Sequence, residues 1–323
     1  MTEPPDEFAW IDRLKPLSRG DSRALGLADD AAVIPGREGY ELVVSVDGMV
    51  EGVHFLVGEA PDVIAKRLLR TSLSDLAAKT AEPFGYFLLT AWPNDRSWDY
   101  RDAFIQGLAE DGKAFGVALL GGDTVGTPGP MTVSATVMGW CPKGQVLLRS
   151  GALAGDLLMV CGVIGDGWLG LRAACGEIDD PSGCLASHYR TPRPLFELRP
   201  LLRQWARAAA DVSDGLVADA GHLARASGLG LELDLALMPI SPGGLAWCAT
   251  KGNQTDAILA LATGGDDYAI VCAVDPRDEL DFKRGAAALG VPAATVGVFD
   301  TASDVRLRVG DQAARAAKPG WSH

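Results

Sequence analysis

The chain has 323 residues, with 29 lysines and arginines against 42 aspartates and glutamates, so its formal charge is −13. Two domains of about 150 residues each are expected, because one hydrophobic core rarely serves a chain this long. The acidic balance argues against a nucleic-acid or anionic-membrane surface, since both need a basic face. No apolar run approaches the ~20 residues of a membrane span, and the acidic N-terminus MTEPPDEFAW is unlike a secretory signal. A cytoplasmic protein is therefore expected.

Hydrophobic periodicity predicts alternating strands and helices in the first half of the chain. Residues 41–46 (ELVVSV) are typical of a strand that ends at Asp47. Residues 61–79 place their apolar side chains on one helical face, and Pro61 suits a first helical turn. The same patterns predict a helix over 100–112 and strands over 117–120 and 132–139.

A break at residues 141–151, where Pro142, Gly144 and Gly151 cluster, divides the chain into predicted domains 1–145 and 146–323. A second series of elements follows the break. It comprises predicted strands over 157–162, 230–235, 268–274 and 295–299, and predicted helices over 167–175, 195–209, 214–226 and 277–289. Strands that alternate with helices in both halves indicate a mixed α/β architecture rather than a bundle or a sandwich.

Cysteines and histidines give no sign of a metal site or a nucleophile. The six cysteines show no CxxC or zinc spacing and lie mostly in apolar runs, so reduced and partly buried thiols are expected. They are Cys141, Cys161, Cys175, Cys184, Cys248 and Cys272. The four histidines (His54, His188, His222 and His323) form no paired arrangement.

The informative feature is a set of aspartates beside glycines, where predicted elements end. The set comprises Asp29, Asp30, Asp47, Asp75, Asp123, Asp211 and Asp214. Singly, Asp47 or Asp123 could cap a turn, and Asp214 could stabilise a helix N-terminus. Asp75, however, lies on the flank of an apolar helical face, where a desolvated carboxylate needs a cation or hydrogen-bond donors. Carboxylate oxygens favour Mg²⁺ or Ca²⁺, so the set indicates metal-assisted phosphate chemistry.

Established phosphate-binding motifs are absent from the sequence. It contains neither a Walker A motif nor a kinase glycine-rich loop with its catalytic partners. Metals and one or two cations would then have to neutralise the phosphates. Arg149, just after the break, is the best-placed cation, and an ordinary surface arginine is the alternative.

Seven motifs together resemble thiamine-monophosphate kinases, from about Asp21 to Trp321. They are GLADDAAV, SVDGMVEGVHF, SLSDLAAK, GGDT, RSGA followed after three residues by GD, DVSDGL and GGDDY. The resemblance implies a two-domain α/β (α+β) architecture like that of aminoimidazole-ribonucleotide synthetase. In such proteins the N-terminal sheet pairs across a homodimer and the C-terminal domain completes the active site. The implied reaction is direct transfer of the ATP γ-phosphate to thiamine monophosphate, with several Mg²⁺ ions and no phospho-enzyme.

The resemblance also implies roles for individual residues. The implied magnesium ligands are Asp30, Ser45, Val46 through its backbone carbonyl, Asp47, Asp75, Asp123, Asp211 and Asp214. The implied ATP contacts are Gly122, Asp123, Arg149 and Ser213, and the implied substrate contacts are His54, Asp266 and Trp321. A thiazolium cation over the Trp321 indole would form a favourable cation–π pair.

Three positions depart from the family pattern, and the same motifs distinguish the chain from related families. Asp266 stands where the family usually has Glu, Val125 where a second Thr is common, and Ala28 where Gly is usual. The hydrogenase-maturation relatives need a C-terminal Cys, whereas this chain ends GWSH, and selenophosphate synthetases usually carry a reactive Cys or selenocysteine near the N-terminus. Aminoimidazole-ribonucleotide synthetase lacks the combination of SVDGMVEGVHF with a terminal Gly-Trp. A nucleotide sensor without turnover remains the alternative from another class, and another phosphate acceptor remains open.

Overall fold

The computed structural model describes residues 7–321, so the first six residues and the last two lie outside the described part of the chain. The described residues form two compact units. One comprises the residues up to Leu76 together with Ala81–Gly144, and the other comprises Ala77–Thr80 together with the chain from Gln145 onwards. Within residues 7–321, no helix is both long and apolar enough to cross a membrane. The two-domain α/β architecture expected from the sequence is confirmed.

The first unit is built on a four-stranded sheet with the order β1-β4-β2-β3. Strand β4 runs antiparallel to β1 and β2, whereas β2 and β3 are parallel. The strands are β1 (Tyr40–Val50), β2 (Glu82–Pro93), β3 (Ala118–Thr127) and β4 (Thr132–Pro142). The helices of this unit are α1 (Glu7–Leu14), α2 (Pro61–Ala78) and α3 (Trp98–Phe115).

One face of this sheet is covered by helices. Trp92 of β2 packs edge-on against Phe104 of α3 with ring centroids 5.4 Å apart, and a hydrogen bond joins β1 to α2 on the same face. Helix α3 begins after Ser97, whose side chain accepts the Tyr100 N–H, and ends at the left-handed Gly116. On the opposite face, Leu42, Val44 and Val46 of β1 are exposed. The sheet is therefore packed on one side only in this part of the molecule.

The second unit contains a mixed seven-stranded sheet with the order β11-β10-β7-β9-β5-β8-β6. Its strands are β5 (Leu157–Cys161), β6 (Ala206–Asp211), β7 (Gly230–Asp234), β8 (Ile270–Val274), β9 (Ala293–Asp300), β10 (Val305–Val309) and β11 (Gln312–Ala314). The helices are α4 (Asp166–Ala174), α5 (Cys184–Arg190), α6 (Arg199–Trp205), α7 (Leu216–Ser227), α8 (Pro242–Ala249), α9 (Gln254–Gly264) and α10 (Glu279–Ala288). Alternate residues of β5 enter two separate hydrophobic clusters, so this central strand is buried on both faces.

Three sequence-based expectations about elements were wrong. The predicted helix over 195–209 is α6, which ends at Trp205, followed by strand β6, because residues 208–210 are fully buried beside β8 and pairing outweighs the helix propensity of alanine. The predicted strands 41–46 and 117–120 are too short, since β1 continues to Val50 and β3 to Thr127. Asp47 and Asp123 therefore lie inside strands and do not cap turns. Strand β2, helices α5, α8 and α9, and strands β10 and β11 were missed.

All six cysteines lie within the described residues, and none forms a disulfide. Cys141, Cys161, Cys248 and Cys272 are buried, while Cys175 and Cys184 are exposed. The expectation of reduced, partly buried thiols is confirmed.

Candidate functional site

The first unit brings three of the expected magnesium ligands together on the helix-covered face of its sheet. Ser45 and Asp47 are alternate residues of β1, and the Ser45 hydroxyl donates a hydrogen bond to Oδ2 of Asp75 on α2. Burial and the neighbouring Asp75 carboxylate raise the pKa of Asp47 to about 6, and a hydrogen bond with Ser72 offsets part of that rise. Two carboxylates and a hydroxyl thus lie together in a half-buried cluster that favours the binding of a proton or a cation.

Val46 lies between the two ligands of β1 and faces the other way. Its side chain is 63% exposed on the open face of the sheet. A ligand role for Val46 could therefore involve only its backbone carbonyl.

The side chain of Asp123 lies on the opposite face of the sheet from that of Asp47. Asp47 stands opposite Ala135, and Ala135 opposite Leu88, on the covered face. Asp123 is in register with Leu89, the next residue of β2, which is exposed. Because successive residues of a strand point to opposite faces, Asp47 and Asp123 leave the sheet on different sides.

A cavity of about 500 Å³ is lined by three further expected residues of this unit. Asp30, Gly122 and Asp123 line it, together with Asp29 and Thr124. The Asp29 carboxylate accepts the Asp30 N–H at 2.8 Å, and the Asp123 carboxylate accepts the Thr124 N–H at 2.9 Å. The volume lies within the range of ordinary ligand pockets, so the expected ATP contacts at Gly122 and Asp123 adjoin a space that can hold a small molecule.

His54 is half-buried and held by backbone contacts. Its Nδ1 accepts the Val50 N–H at 3.0 Å, and the Arg67 Nε–H donates to its carbonyl at 3.1 Å. Because Nδ1 is an acceptor, the proton of the neutral ring is on Nε2. The Val50 contact therefore fixes the tautomer and the orientation of the His54 ring.

The second unit assembles the other expected ligands where β6 passes into α7. Asp211 is buried at the end of β6, Ser213 is exposed, and Asp214 is half-buried in the turn before α7. Asp214, Asp219 and His222 each place one ligand atom within 4.8 Å of the other two. Burial and the Asp214 carboxylate raise the pKa of Asp219 to about 7, against the effects of its backbone hydrogen bonds and of Arg149. The exposed Arg149 thus lies within electrostatic reach of this group.

Two distant segments of the second unit meet the same turn. The Asp266 N–H donates to the Ser213 carbonyl at 2.7 Å, and the Trp321 N–H donates to the Asp214 carbonyl at 2.9 Å. A Cβ at Gly265 would lie 2.6 Å from the Ser213 carbonyl oxygen, so only glycine permits this approach. The structure therefore brings two expected substrate residues, Asp266 and Trp321, to the two residues expected to bind nucleotide and metal.

Two buried carboxyls of the second unit were not identified as functional from the sequence. Asp219 accepts the N–H groups of Ser213 and Asp214, and Asp267 accepts those of Gly165 and Gly167. Burial raises the pKa of Asp267 well above its usual range. The position of Asp219, on the first turn of a helix five residues after Asp214, was the available signal, because such a side chain can reach back to the preceding turn.

The donor chemistry fits magnesium in the first unit. Ser45, Asp47 and Asp75 offer oxygen atoms only, the donors that Mg²⁺ prefers. The raised pKa of Asp47 also indicates a cation site, because a bound cation would stabilise two neighbouring half-buried carboxylates. In the second unit, the cluster of Asp214, Asp219 and His222 adds a histidine nitrogen to the carboxylate oxygens. Nδ1 of His222, however, lies 2.9 Å from the Arg225 guanidinium and is engaged there.

Comparison with known proteins assigns the family. The family model described as AIR synthase related protein, N-terminal domain, matches residues 28–141, and the corresponding C-terminal domain model matches residues 154–310. The curated thiamine-monophosphate kinase of Caulobacter vibrioides is 52% identical over 99% of this chain and 91% of its own length. This chain belongs to the thiamine-monophosphate kinase family.

Further relatives agree with this assignment to the thiamine-monophosphate kinases. The enzyme of Haemophilus influenzae is 34% identical over 86% of this chain and 83% of its own length. The crystal structure of the thiamine-monophosphate kinase from Stenotrophomonas maltophilia superposes with a TM-score of 0.83 at 33% identity, covering 95% of this chain and 98% of that one. The chain is accordingly an enzyme of the kinase class.

Replacing Asp47 by Asn should stabilise the metal-free protein. The folded carboxyl has a pKa of about 6 against 3.8 for the unperturbed group, so the folded state holds the proton more tightly. Stability attributable to this group therefore falls as the pH rises through that interval. At pH 7.5 in EDTA, Asp47→Asn should raise the free energy of unfolding, measured with urea, by about 1–3 kcal/mol.

The gain should shrink as the pH falls towards 4, where Asp47 itself is neutral in the folded protein. Added Mg²⁺ should stabilise the natural protein more than the variant. Asp95→Asn, which removes an exposed carboxylate of the same unit, is the control and should change stability little. A variant less stable than the natural protein at pH 7.5 would contradict the assigned burial and repulsion.

Proposed function

We propose that this kinase transfers the γ-phosphate of ATP directly to thiamine monophosphate, giving thiamine diphosphate and ADP. The observation that carries the proposal is the 52% identity to a curated thiamine-monophosphate kinase over 99% of the chain. The site geometry supports it, because three carboxylates line a ligand-sized cavity in one unit and a pair of carboxylates lies within electrostatic reach of an exposed arginine in the other. Acidic groups bind a polyanion only when cations intervene.

Several Mg²⁺ ions complete this proposal. In the first unit, Ser45, Asp47, Asp75 and the Val46 carbonyl would hold magnesium on the covered face, and Asp30 and Asp123 would do so at the cavity. In the second unit, Asp211 and Asp214 are the proposed ligands. When bound, magnesium would offset the charge of the two phosphate groups that must approach each other.

The protein's own residues position the reactants. Gly122 would offer its backbone to the nucleotide, Ser213 its hydroxyl, and Arg149 a fixed positive charge that an anion attracts. No general base is needed, because a phosphate monoester is largely ionised near pH 7. An oxygen of thiamine monophosphate would attack the γ-phosphorus in line, and the bond from that phosphorus to the β,γ-bridging oxygen would break to release ADP. Catalysis then consists of positioning and electrostatic stabilisation.

Substrate recognition is assigned to three side chains. His54 would donate from Nε2, Asp266 would contribute a carboxylate, and the indole of Trp321 would stack on the thiazolium ring. Trp321 is 60% exposed. A cation over an indole is the most favourable cation–π arrangement among aromatic side chains.

A homodimer formed through the first unit is part of the proposal. Leu42, Val44 and Val46 of β1 share a face with Leu89 and Val125, and all five are exposed. An apolar sheet face of this kind marks an interaction surface. A second copy of the chain would cover it, as the family resemblance implies.

The deciding experiment measures ADP release by the purified protein with Mg²⁺-ATP and thiamine monophosphate, thiamine or no acceptor, with products identified by chromatography. Thiamine diphosphate formed only from the monophosphate supports the proposed reaction. ATP binding without acceptor-dependent ADP would contradict it and favour a nucleotide sensor. Turnover with another phosphate acceptor alone would retain the kinase and change its substrate.

Asp75→Asn should reduce kcat by about 100-fold or more, because it removes a charged ligand that the reaction needs, while the protein stays folded. Steady-state kinetics would measure kcat, and circular dichroism would show whether the variant is folded. Asp95→Asn removes an equal charge at an exposed position and should leave kcat unchanged. Near-normal turnover of Asp75→Asn would remove Asp75 from the metal site.

Trp321→Ala should raise the KM for thiamine monophosphate more than it lowers kcat, because stacking binds the ring and does not act on the phosphorus. A rise of about fivefold to thirtyfold is expected for a lost cation–π contact. Trp321→Phe should recover part of the affinity, and Leu245→Ala, at another exposed apolar position of the second unit, should have no effect. An unchanged KM would exclude the stacking role.

Val44→Asp should dissociate the proposed dimer, since it places a charge in the exposed apolar face of β1. Light scattering should give the mass of two 33.8 kDa chains for the natural protein and of one for the variant. Leu280→Asp introduces the same charge at an exposed position of the second unit and should not alter the mass. A natural protein that is monomeric at micromolar concentration would refute the dimer.

A further inference from the structure

The turn that carries Ser213 and Asp214 has its backbone carbonyls fixed from two directions. The Ser213 carbonyl accepts the Asp266 N–H at 2.7 Å, and the Asp214 carbonyl accepts the Trp321 N–H at 2.9 Å. A Cβ at Gly320 would lie 2.3 Å from the Asp214 carbonyl oxygen, which shows how closely the C-terminal segment approaches. These contacts hold one side of the turn.

A single carboxylate oxygen holds the other side. Oδ2 of Asp219 accepts the N–H of Ser213 at 3.1 Å and the N–H of Asp214 at 3.0 Å. All four backbone polar groups of the two residues are therefore hydrogen-bonded within the second unit. The backbone has no remaining freedom to rotate without breaking one of these bonds, so the Ser213 and Asp214 side chains leave the turn in defined directions.

Asp219 is suited to this task by its place in the helix. It lies in the first turn of α7 and is 1% exposed. Side chains there point back towards the helix N-terminus, where the preceding backbone N–H groups and the helix dipole favour a carboxylate. The turn reverses at Gly215, whose φ of 119° is accessible to glycine, and this brings the two N–H groups over the helix start.

Direct metal binding is the competing role for Asp219, because its carboxylate lies near Asp214 and His222. One oxygen of Asp219 is already engaged by two N–H donors, and His222 Nδ1 lies 2.9 Å from the Arg225 guanidinium. We propose that Asp219 is a positioning residue, which holds Ser213 and Asp214 in the orientation in which they bind the phosphates of Mg²⁺-ATP. This inference rests on the proposed function only in assigning nucleotide and metal binding to those two residues.

Three variants of the full-length protein separate positioning from charge. Asp219→Ala removes the acceptor, Asp219→Asn keeps an acceptor oxygen without the charge, and Asp219→Glu keeps the charge but displaces the acceptor by one methylene. Hydrogen exchange across residues 211–216 measures how firmly the turn is held. Calorimetric titration with Mg²⁺ and a non-hydrolysable ATP analogue measures the resulting affinity for the nucleotide.

Alanine and glutamate variants should weaken binding of the analogue by about tenfold or more, as expected for two lost hydrogen bonds to a charged group, and should speed exchange at the turn. The asparagine variant should bind within about threefold of the natural protein. The contrast between asparagine and glutamate remains decisive if the alanine variant does not fold.

Asp234 provides the matched control in the same unit. It is 6% exposed, and its Oδ1 also accepts two backbone N–H groups, those of Ala236 at 3.1 Å and Gly310 at 3.0 Å. Asp234→Ala should lower the melting temperature without changing analogue binding or exchange at residues 211–216. This separates a general loss of stability from loss of positioning.

The inference would be overturned if Asp219→Glu left hydrogen exchange at the turn unchanged, or if Asp219→Glu bound the analogue within twofold of the natural protein. If Asp219→Asn bound the analogue as weakly as Asp219→Glu, the inference would also be overturned, in favour of a direct contact that needs the negative charge of Asp219. Failure of the natural protein to bind the analogue would instead refute the proposed function. The exchange measurement would still decide whether Asp219 holds the turn.

Discussion

The burial of neighbouring carboxylates, and the repulsion between them, is the constraint on which this molecule depends. Asp47 lies beside Asp75 in the first unit, and Asp219 lies beside Asp214 in the second. Burial and the neighbouring carboxylate raise the pKa of Asp47 and of Asp219. A fold selected for stability alone would place such side chains in water or pair them with arginines. Retaining them is understandable if cations and phosphates arrive together, because the ligands then remove the repulsion that the empty protein bears.

The surrounding elements serve to keep these carboxylates in place. In the first unit, strand β1 supplies Ser45 and Asp47 from alternate positions and α2 supplies Asp75, so a sheet and a helix packed on it define the cluster. In the second unit, a turn is held through its backbone by three separate segments. Side chains with a fixed backbone beneath them lose little entropy on binding, which is the general requirement for electrostatic catalysis.

The division of the expected ligands within the first unit shows a limit of sequence reasoning. The motifs around Asp47 and Asp123 look alike, since both set an aspartate beside glycine after an apolar run. Strand register nevertheless assigns Asp47 to the covered face and Asp123 to the opposite one. A shift of one residue in a strand exchanges its faces, and the pairing that sets the register involves residues far apart in the chain. Helix α6 ended early for a related reason, since burial beside β8 outweighed the local propensity of alanine.

The sequence by itself determined the family, the two-domain α/β class, helix α2 and the identities of the acidic residues, because these depend on local periodicity and on motifs that are contiguous in the chain. Tertiary structure alone decided which acidic residues meet, that Asp266 and Trp321 reach the turn of Ser213 and Asp214, and that Asp219 holds this turn. The physical reason is that pKa shifts and backbone hydrogen bonds between distant segments depend on distance and burial in space. Neither quantity is encoded in the spacing of residues along the chain.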